Sequence, residues 1–155
     1  MCSLCKEYIS KENVIYESHF WFVMFNRFPY LPGHIMLVPK RPIPNLEDIT
    51  VEERVEMINE LIDAQTLLIN ALQNKFGVTS SNIGINLGPN SGASIPTHLH
   101  IHLVPRRPND SNFMHTCTFS GFGERHDPIM YDKMYSNARM WIIEEASKRK
   151  IKEKL

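Results

Sequence analysis

Three histidines, His98, His100 and His102, stand at every second position of "SIPTHLHIHLVPRR" (94–107), and Leu99, Ile101, Leu103 and Val104 between and after them are apolar. Successive side chains of a β-strand point to opposite faces. The spacing therefore predicts three imidazoles on one face and Leu99, Ile101 and Leu103 on the other, packed into a core. Three readings fit such a row. Imidazoles at i and i+2 can share a metal, and three histidines with an open position are a known arrangement for metal-assisted hydrolysis. A neutral imidazole, with an unperturbed pKa of about 6.5, is also a competent nucleophile near neutral pH. The third reading is the polar side of an exposed strand with no chemistry.

The elements that must hold this row read as follows. "NVIYE" (13–17), "HFWFVMFN" (19–26) and "HIMLVPK" (34–40) are rich in β-branched and aromatic residues and predict three strands, separated by the proline- and glycine-containing "RFPYLPG". Thr50 followed by Glu53 forms a capping box. Val51, Val55, Ile58, Ile62, Leu68, Leu72 and Phe76 recur at helical spacing, and Gly77 follows as a C′ glycine, so a long helix is expected. "SNIGINLG" (81–88) and "THLHIHLVP" (97–105) predict a fourth and a fifth strand. Asp127-Pro128 opens a terminal helix from about Ile129 to Lys148. The order predicts an α+β fold: a five-stranded antiparallel sheet, one long central helix and a C-terminal helix, with the helices on one face.

The chain has 155 residues, 43% of them apolar, and is expected to be a single domain spanning 1–155. Seventeen basic and seventeen acidic residues balance, which argues against a broad nucleic-acid surface. The basic tail "SKRKIKEKL" reads as a solvated helix end. No apolar run approaches the roughly 20 residues of a membrane span, and "MCSLCKEY" lacks the charged and apolar regions of a signal peptide. Three cysteines, Cys2, Cys5 and Cys117, do not suggest a disulfide framework. A cytoplasmic location is the expectation.

With these flanks in view, "HLHIHLV" resembles the signature of the histidine triad (HIT) nucleotide hydrolases and transferases. "FNRFPYLPGHIMLVPK" resembles the family's first nucleotide-binding segment. "GINLGPNSGASIPTHLHIHLVPRRPNDSNFM" resembles the branch containing diadenosine tetraphosphate phosphorylases and related hydrolases, and the likeness covers roughly residues 2–115. The resemblance implies a HIT-like fold, a commonly homodimeric protein and a nucleotide substrate, foremost a dinucleoside polyphosphate. His100 takes the nucleophile's position, forming a covalent nucleotidyl-histidine that splits one displacement into two. His98 and His102 flank the phosphate as hydrogen-bond donors. His34 buttresses the triad, Asn26 meets the ribose hydroxyls, and Asn86 lies near the phosphates. Gly92, Ala93 and Ser94 supply a phosphate cradle. The acceptor, water or inorganic phosphate, stays open. A nucleoside phosphoramidase of the same family and a metal-dependent hydrolase on the triad stand as alternatives.

Many members of the family hold a structural zinc on a CxxC pair and two histidines, one of which follows the "VPKR" segment. Cys2 and Cys5 supply the pair, but Pro42 stands where that histidine would be and offers no ligand atom. The expectation is therefore an enzyme with no required cofactor, an incomplete zinc set at Cys2 and Cys5, and magnesium only as a companion of the substrate's phosphates.

Overall fold

The structure is a computed structural model describing residues 2–110 and 128–152. Asp127 and Cys117 lie outside the described residues. Five strands, β1 (Val14–Glu17), β2 (Trp21–Phe25), β3 (Ile35–Pro39), β4 (Ser80–Ile85) and β5 (Ile101–Arg106), form one sheet in the order β1-β2-β3-β5-β4, antiparallel at every pairing. Three helices accompany them: α1 (Ser3–Ser10), α2 (Val51–Phe76) and α3 (Pro128–Lys152), with a short 3-10 turn at Leu46–Asp48. The expected strands and the two long helices are present. Helix α1 was not expected, and it changes the layering.

Alternation in β2 and β3 explains the two layers. Trp21, Val23, Phe25, Ile35 and Leu37 point to one face, where they pack with Leu99, Ile101 and Leu103 under Ala64, Leu68 and Leu72 of α2 and Ala138 and Ile142 of α3. Phe22, Met24, Met36 and Val38 point to the other face, where Leu4 of α1 covers them. The sheet is thus clad by α2 and α3 on one face and in part by α1 on the other. Both central strands are buried throughout, as two-sided cover requires.

Helix α2 begins at the expected capping box: Glu53 N donates to Thr50 Oγ1, and Thr50 N donates to Glu53 Oε2. Gly77 ends it in the left-handed conformation (φ 67°). The helical stripe expected to face the core does so only in its second half. Val51, Val55, Ile58 and Ile62 are 66%, 61%, 51% and 60% exposed. The inward stripe runs through Glu53, Met57, Leu61, Ala64 and Leu68. The reason is the anchoring of Glu53, whose carboxylate receives Arg41 Nε at 2.6 Å and Nη2 at 2.7 Å, while its carbonyl accepts from Trp21 Nε1 at 3.0 Å. These bonds turn the Glu53 face inward and the neighbouring apolar stripe outward. Helix α3 is fastened to α2 by the Arg149–Asp63 ion pair and by Trp141, which meets Phe76 edge-on at 4.9 Å.

Strand β5 starts later than expected. It pairs with β3 through Ile35–Leu103, Met36–His102 and Leu37–Ile101, and there the ladder ends. Leu99 N donates instead to Ile43 O at 2.7 Å. His98 and His100 therefore precede the strand in an irregular extended segment, and only His102 lies within it.

Candidate active site

His100 is 5% exposed, and its Nδ1 lies 2.9 Å from the carbonyl oxygen of His98. A carbonyl can only accept, so Nδ1 carries the proton and Nε2 keeps its lone pair. The backbone of the preceding segment thus fixes the tautomer a nucleophilic imidazole needs. The irregular course of residues 98–100 is what frees that carbonyl from the sheet ladder.

A second chain of bonds fixes His102. Tyr30 N donates to His34 Nδ1 at 3.0 Å, which leaves the proton of His34 on Nε2. His34 Nε2 then donates to His102 Nδ1 at 2.9 Å, so His102 carries its own proton on Nε2. The relay ends in the N–H of His102 Nε2, and the rings of His100 and His102 are 5.0 Å apart. A nucleophilic nitrogen and a hydrogen-bond donor are thereby set side by side. Burial, reinforced by His102 and His100 nearby, holds His34 well below the ordinary imidazole value. Burial and then the charge of His100 push His102 down to about 4. The relay is neutral at neutral pH, as its donor directions require.

His98 departs from its expected role. It is fully buried, its Nε2 donates to Pro39 O at 2.8 Å, and its Nδ1 faces Cys2 Sγ at 3.1 Å and Cys5 Sγ at 3.6 Å. Both ring nitrogens are engaged away from His100, so the ring cannot donate to a group beside His100 Nε2. Its contribution is the carbonyl that orients His100. The same contact adds a third donor to the cysteine pair: Cys2, Cys5 and His98 bring their donor atoms within 4.8 Å of one another. Helix α1 makes this possible, placing the two sulfurs 3.0 Å apart with Cys2 capping its N-terminus. Pro42 is exposed and adds no ligand.

Asn26 lies at the relay, its Nδ2 3.4 Å from His34 Nε2, and its Oδ1 accepts from Phe28 N at 2.9 Å. Asn86 Nδ2 donates to Ser91 O at 2.5 Å and so ties the loop before the triad to the end of β4. In that loop Gly92 has a positive φ (81°), with Asn86 Nδ2 3.6 Å from where a Cβ would stand. Gly92 and Ser94 are exposed and Ala93 is half-buried. Two contributors escaped the sequence reading: the Tyr30 amide, with its ring stacked on His34 at 4.9 Å, and the Pro39 carbonyl. The atoms that orient the rings are backbone atoms, which every residue carries, so no residue type announces them.

A row of histidines leading into β5, with tautomers set by a backbone carbonyl and by a relay, defines a histidine-based site. The HIT domain family matches residues 8–109, and the chain belongs to it. Among curated relatives, the AP-4-A phosphorylase of Mycobacterium tuberculosis is 37% identical over 101 residues, covering 65% of this chain and 50% of that protein. The bis(5'-nucleosyl)-tetraphosphatase [asymmetrical] of Schizosaccharomyces pombe is 32% identical over 97 residues, covering 63% and 50%. The chain thus spans about half the length of the curated relatives it matches. Among solved structures, a zinc-bound histidine triad family protein from Mycobacterium smegmatis superposes with a TM-score of 0.63 at 21% identity, covering 95% of this chain and 96% of that one.

Proposed function

We propose that this protein transfers a nucleotidyl group from a dinucleoside polyphosphate through His100. Nε2 attacks the α-phosphorus; a P–N bond forms as the P–O bond to the departing polyphosphate breaks. The adduct keeps its Nδ1 proton on the His98 carbonyl, which stabilises the positive ring. The Nε2–H of His102 bonds a phosphate oxygen where charge develops. Water or inorganic phosphate then takes the nucleotidyl group and frees His100. Asn26 meets the ribose, Ser94 and the amides at Gly92 and Ala93 meet phosphate oxygens, and magnesium enters with the substrate as countercharge. The observation that carries this reading is the 2.9 Å bond from His100 Nδ1 to His98 O, which leaves Nε2 as the nucleophile. The relatives named above support the substrate class. The test is a substrate labelled at the α-phosphate: wild-type protein should carry an acid-labile, alkali-stable label that the His100→Gln variant lacks. Rapid turnover with no labelled protein at any quench time would sink it.

The triad itself is a poor metal site: both nitrogens of His98 are engaged elsewhere and His102 keeps its proton on Nε2, so only His100 Nε2 offers a lone pair. Cys2, Cys5 and His98 are the fitting set, with two thiolates and one imidazole suiting zinc. Zinc there would supply structure rather than a reacting water, holding α1 and the ring of His98. One metal per chain is expected by elemental analysis, falling below about a tenth in Cys2→Ser/Cys5→Ser. Equal metal content in both proteins would refute the site.

We further propose a cytoplasmic homodimer built on the outward stripe of α2. Val51, Val55, Ile58 and Ile62 lie at i, i+4, i+7 and i+11, and among the described residues β4, with Ile83 41% exposed, pairs only with β5. Helix α3, by contrast, has its Ala138 in the protein's own core and Trp141 packed against that core. Light scattering should give twice the 18.0 kDa chain mass, and the Val55→Asp/Ile58→Asp variant should give the single-chain mass.

A further inference from the structure

The relay that fixes His102 is closed at its far end. Tyr30 N–H, His34 and His102 are linked at 3.0 Å and 2.9 Å, and every link donates in one direction, towards His102 Nε2. The first donor is a peptide amide, whose single hydrogen is not an acidic proton near neutral pH. A proton given up by His102 Nε2 could be replaced only through Nδ1, from His34 and then from that amide. The shift would end on an amide anion. The chain therefore polarises the His102 N–H but passes no proton along it.

A second proton on His102 is blocked by the same bonds. A hydrogen on its Nδ1 would face the His34 Nε2–H, donor against donor. Moving the His34 proton to Nδ1 would set it against Tyr30 N–H instead. Asn26 gives no relief: its Oδ1 accepts from Phe28 N, and the atom 3.4 Å from His34 Nε2 is Nδ2, another donor. Among the described residues no carboxylate bonds to either ring. With Tyr30 stacked on it at 4.9 Å, His34 is 1% exposed, so water does not enter the chain. The depression of His102 to about 4 agrees with this geometry. His98 supplies no proton either, being held by Pro39 O and Cys2 Sγ.

Leaving groups differ in what they need. As His100 Nε2 attacks, the electron pair of the breaking bond goes to the departing atom. A polyphosphate oxygen carries that pair as a stable anion, since the second ionisation of a phosphate lies near about 6. The nitrogen of a phosphoramidate departs as an amine only if a proton reaches it while the P–N bond breaks; otherwise it must leave as an amide anion. We propose that His102 is a hydrogen-bond donor and not the acid for the leaving group, so that this site selects phosphate anhydrides and other groups that depart as stable anions, and rejects basic amines. This rests on the transfer through His100 proposed above and decides among its substrates.

Two measurements test it. The first uses nucleoside 5'-phosphate aryl esters whose phenols differ in pKa, with a dinucleoside tetraphosphate and an alkylamine nucleoside 5'-phosphoramidate for comparison. In these reactions kcat/KM reports departure of the leaving group. It should fall at least about threefold per unit of phenol pKa, as unassisted departure requires, and the phosphoramidate should be at least about 10²-fold slower than the tetraphosphate. A flat series, or a phosphoramidate cleaved as fast as the tetraphosphate, would overturn the proposal. If His100 is still labelled in that case, the transfer stands and this proposal alone falls. If nothing is cleaved, the transfer fails and takes the selectivity with it. The second measurement is nitrogen NMR of histidine-labelled wild-type protein between about pH 6 and pH 8, spanning the ordinary imidazole value. His102 should carry one proton throughout, on Nε2; a ring protonated on both nitrogens would overturn the proposal.

Discussion

His100→Ala is expected to lower turnover of a dinucleoside polyphosphate by at least about 10⁴-fold, the scale of losing a nucleophile in a site that otherwise stays assembled. The remaining site keeps its relay, because His34 and His102 are bonded to each other and to the Tyr30 amide rather than to His100. Stability should change much less, by about 1–3 kcal/mol, since one bond to the His98 carbonyl is lost and a small space opens. His100→Gln is the sharper variant: its amide can still donate to that carbonyl, yet it has no nucleophilic nitrogen. Both should unfold cooperatively in a thermal melt while showing no turnover. Substantial activity in either would remove His100 as the nucleophile.

Acid should destabilise the fold through the relay before it touches the carboxylates. His102 is held down to about 4 in the folded chain by burial and by His100, against about 6.5 when unfolded. Between those values the unfolded chain binds more protons, so stability falls as pH falls. The contribution is complete above about pH 6.5 and lost towards pH 4. At 1.36 kcal/mol per unit it amounts to about 3 kcal/mol. His34, displaced in the same direction, adds to it. A proton on His34 Nδ1 would face the Tyr30 N–H, donor against donor, so protonation also breaks the relay. Glu17, paired with Lys11, and Glu53, paired with Arg41, are both held to about 2 and titrate in a lower window. Urea unfolding between pH 7 and pH 5 therefore stays clear of Glu17 and Glu53. Wild-type stability should slope downward across that window and His102→Gln should be flatter. Parallel slopes would show that His102 is not the group responsible.

The candidate metal site shows how sequence and structure divided the work. Cys2 and Cys5 could be named from spacing, and Pro42 could be seen to lack a ligand atom. That His98 turns its Nδ1 to the two sulfurs could not be read. It depends on an N-terminal helix without a strong periodic signal and on a strand that begins three residues after the first histidine of the row. The apolar stripe of α2 is a similar case. Two adjacent stripes are both apolar, and helical spacing cannot say which faces the sheet. Arg41 and Trp21, distant in sequence, decide it by anchoring Glu53.

By itself the sequence determined the chemistry on offer. The spacing of His98, His100 and His102 between apolar residues is a local pattern with a period of two, and it marked the segment that leads into β5, although only His102 lies within the strand. Caps at Thr50 and Gly77 are local too, and they bounded α2 correctly. Only the tertiary structure decided what each imidazole does. A ring's tautomer is set by whichever atom meets its nitrogen, and here those atoms are the carbonyl of His98, the amide of Tyr30 through His34, and the carbonyl of Pro39 beside two sulfurs. Chain packing, not residue type, leaves His100 Nε2 with its lone pair, keeps the proton of His102 on Nε2 and turns the ring of His98 to Pro39 and the cysteines.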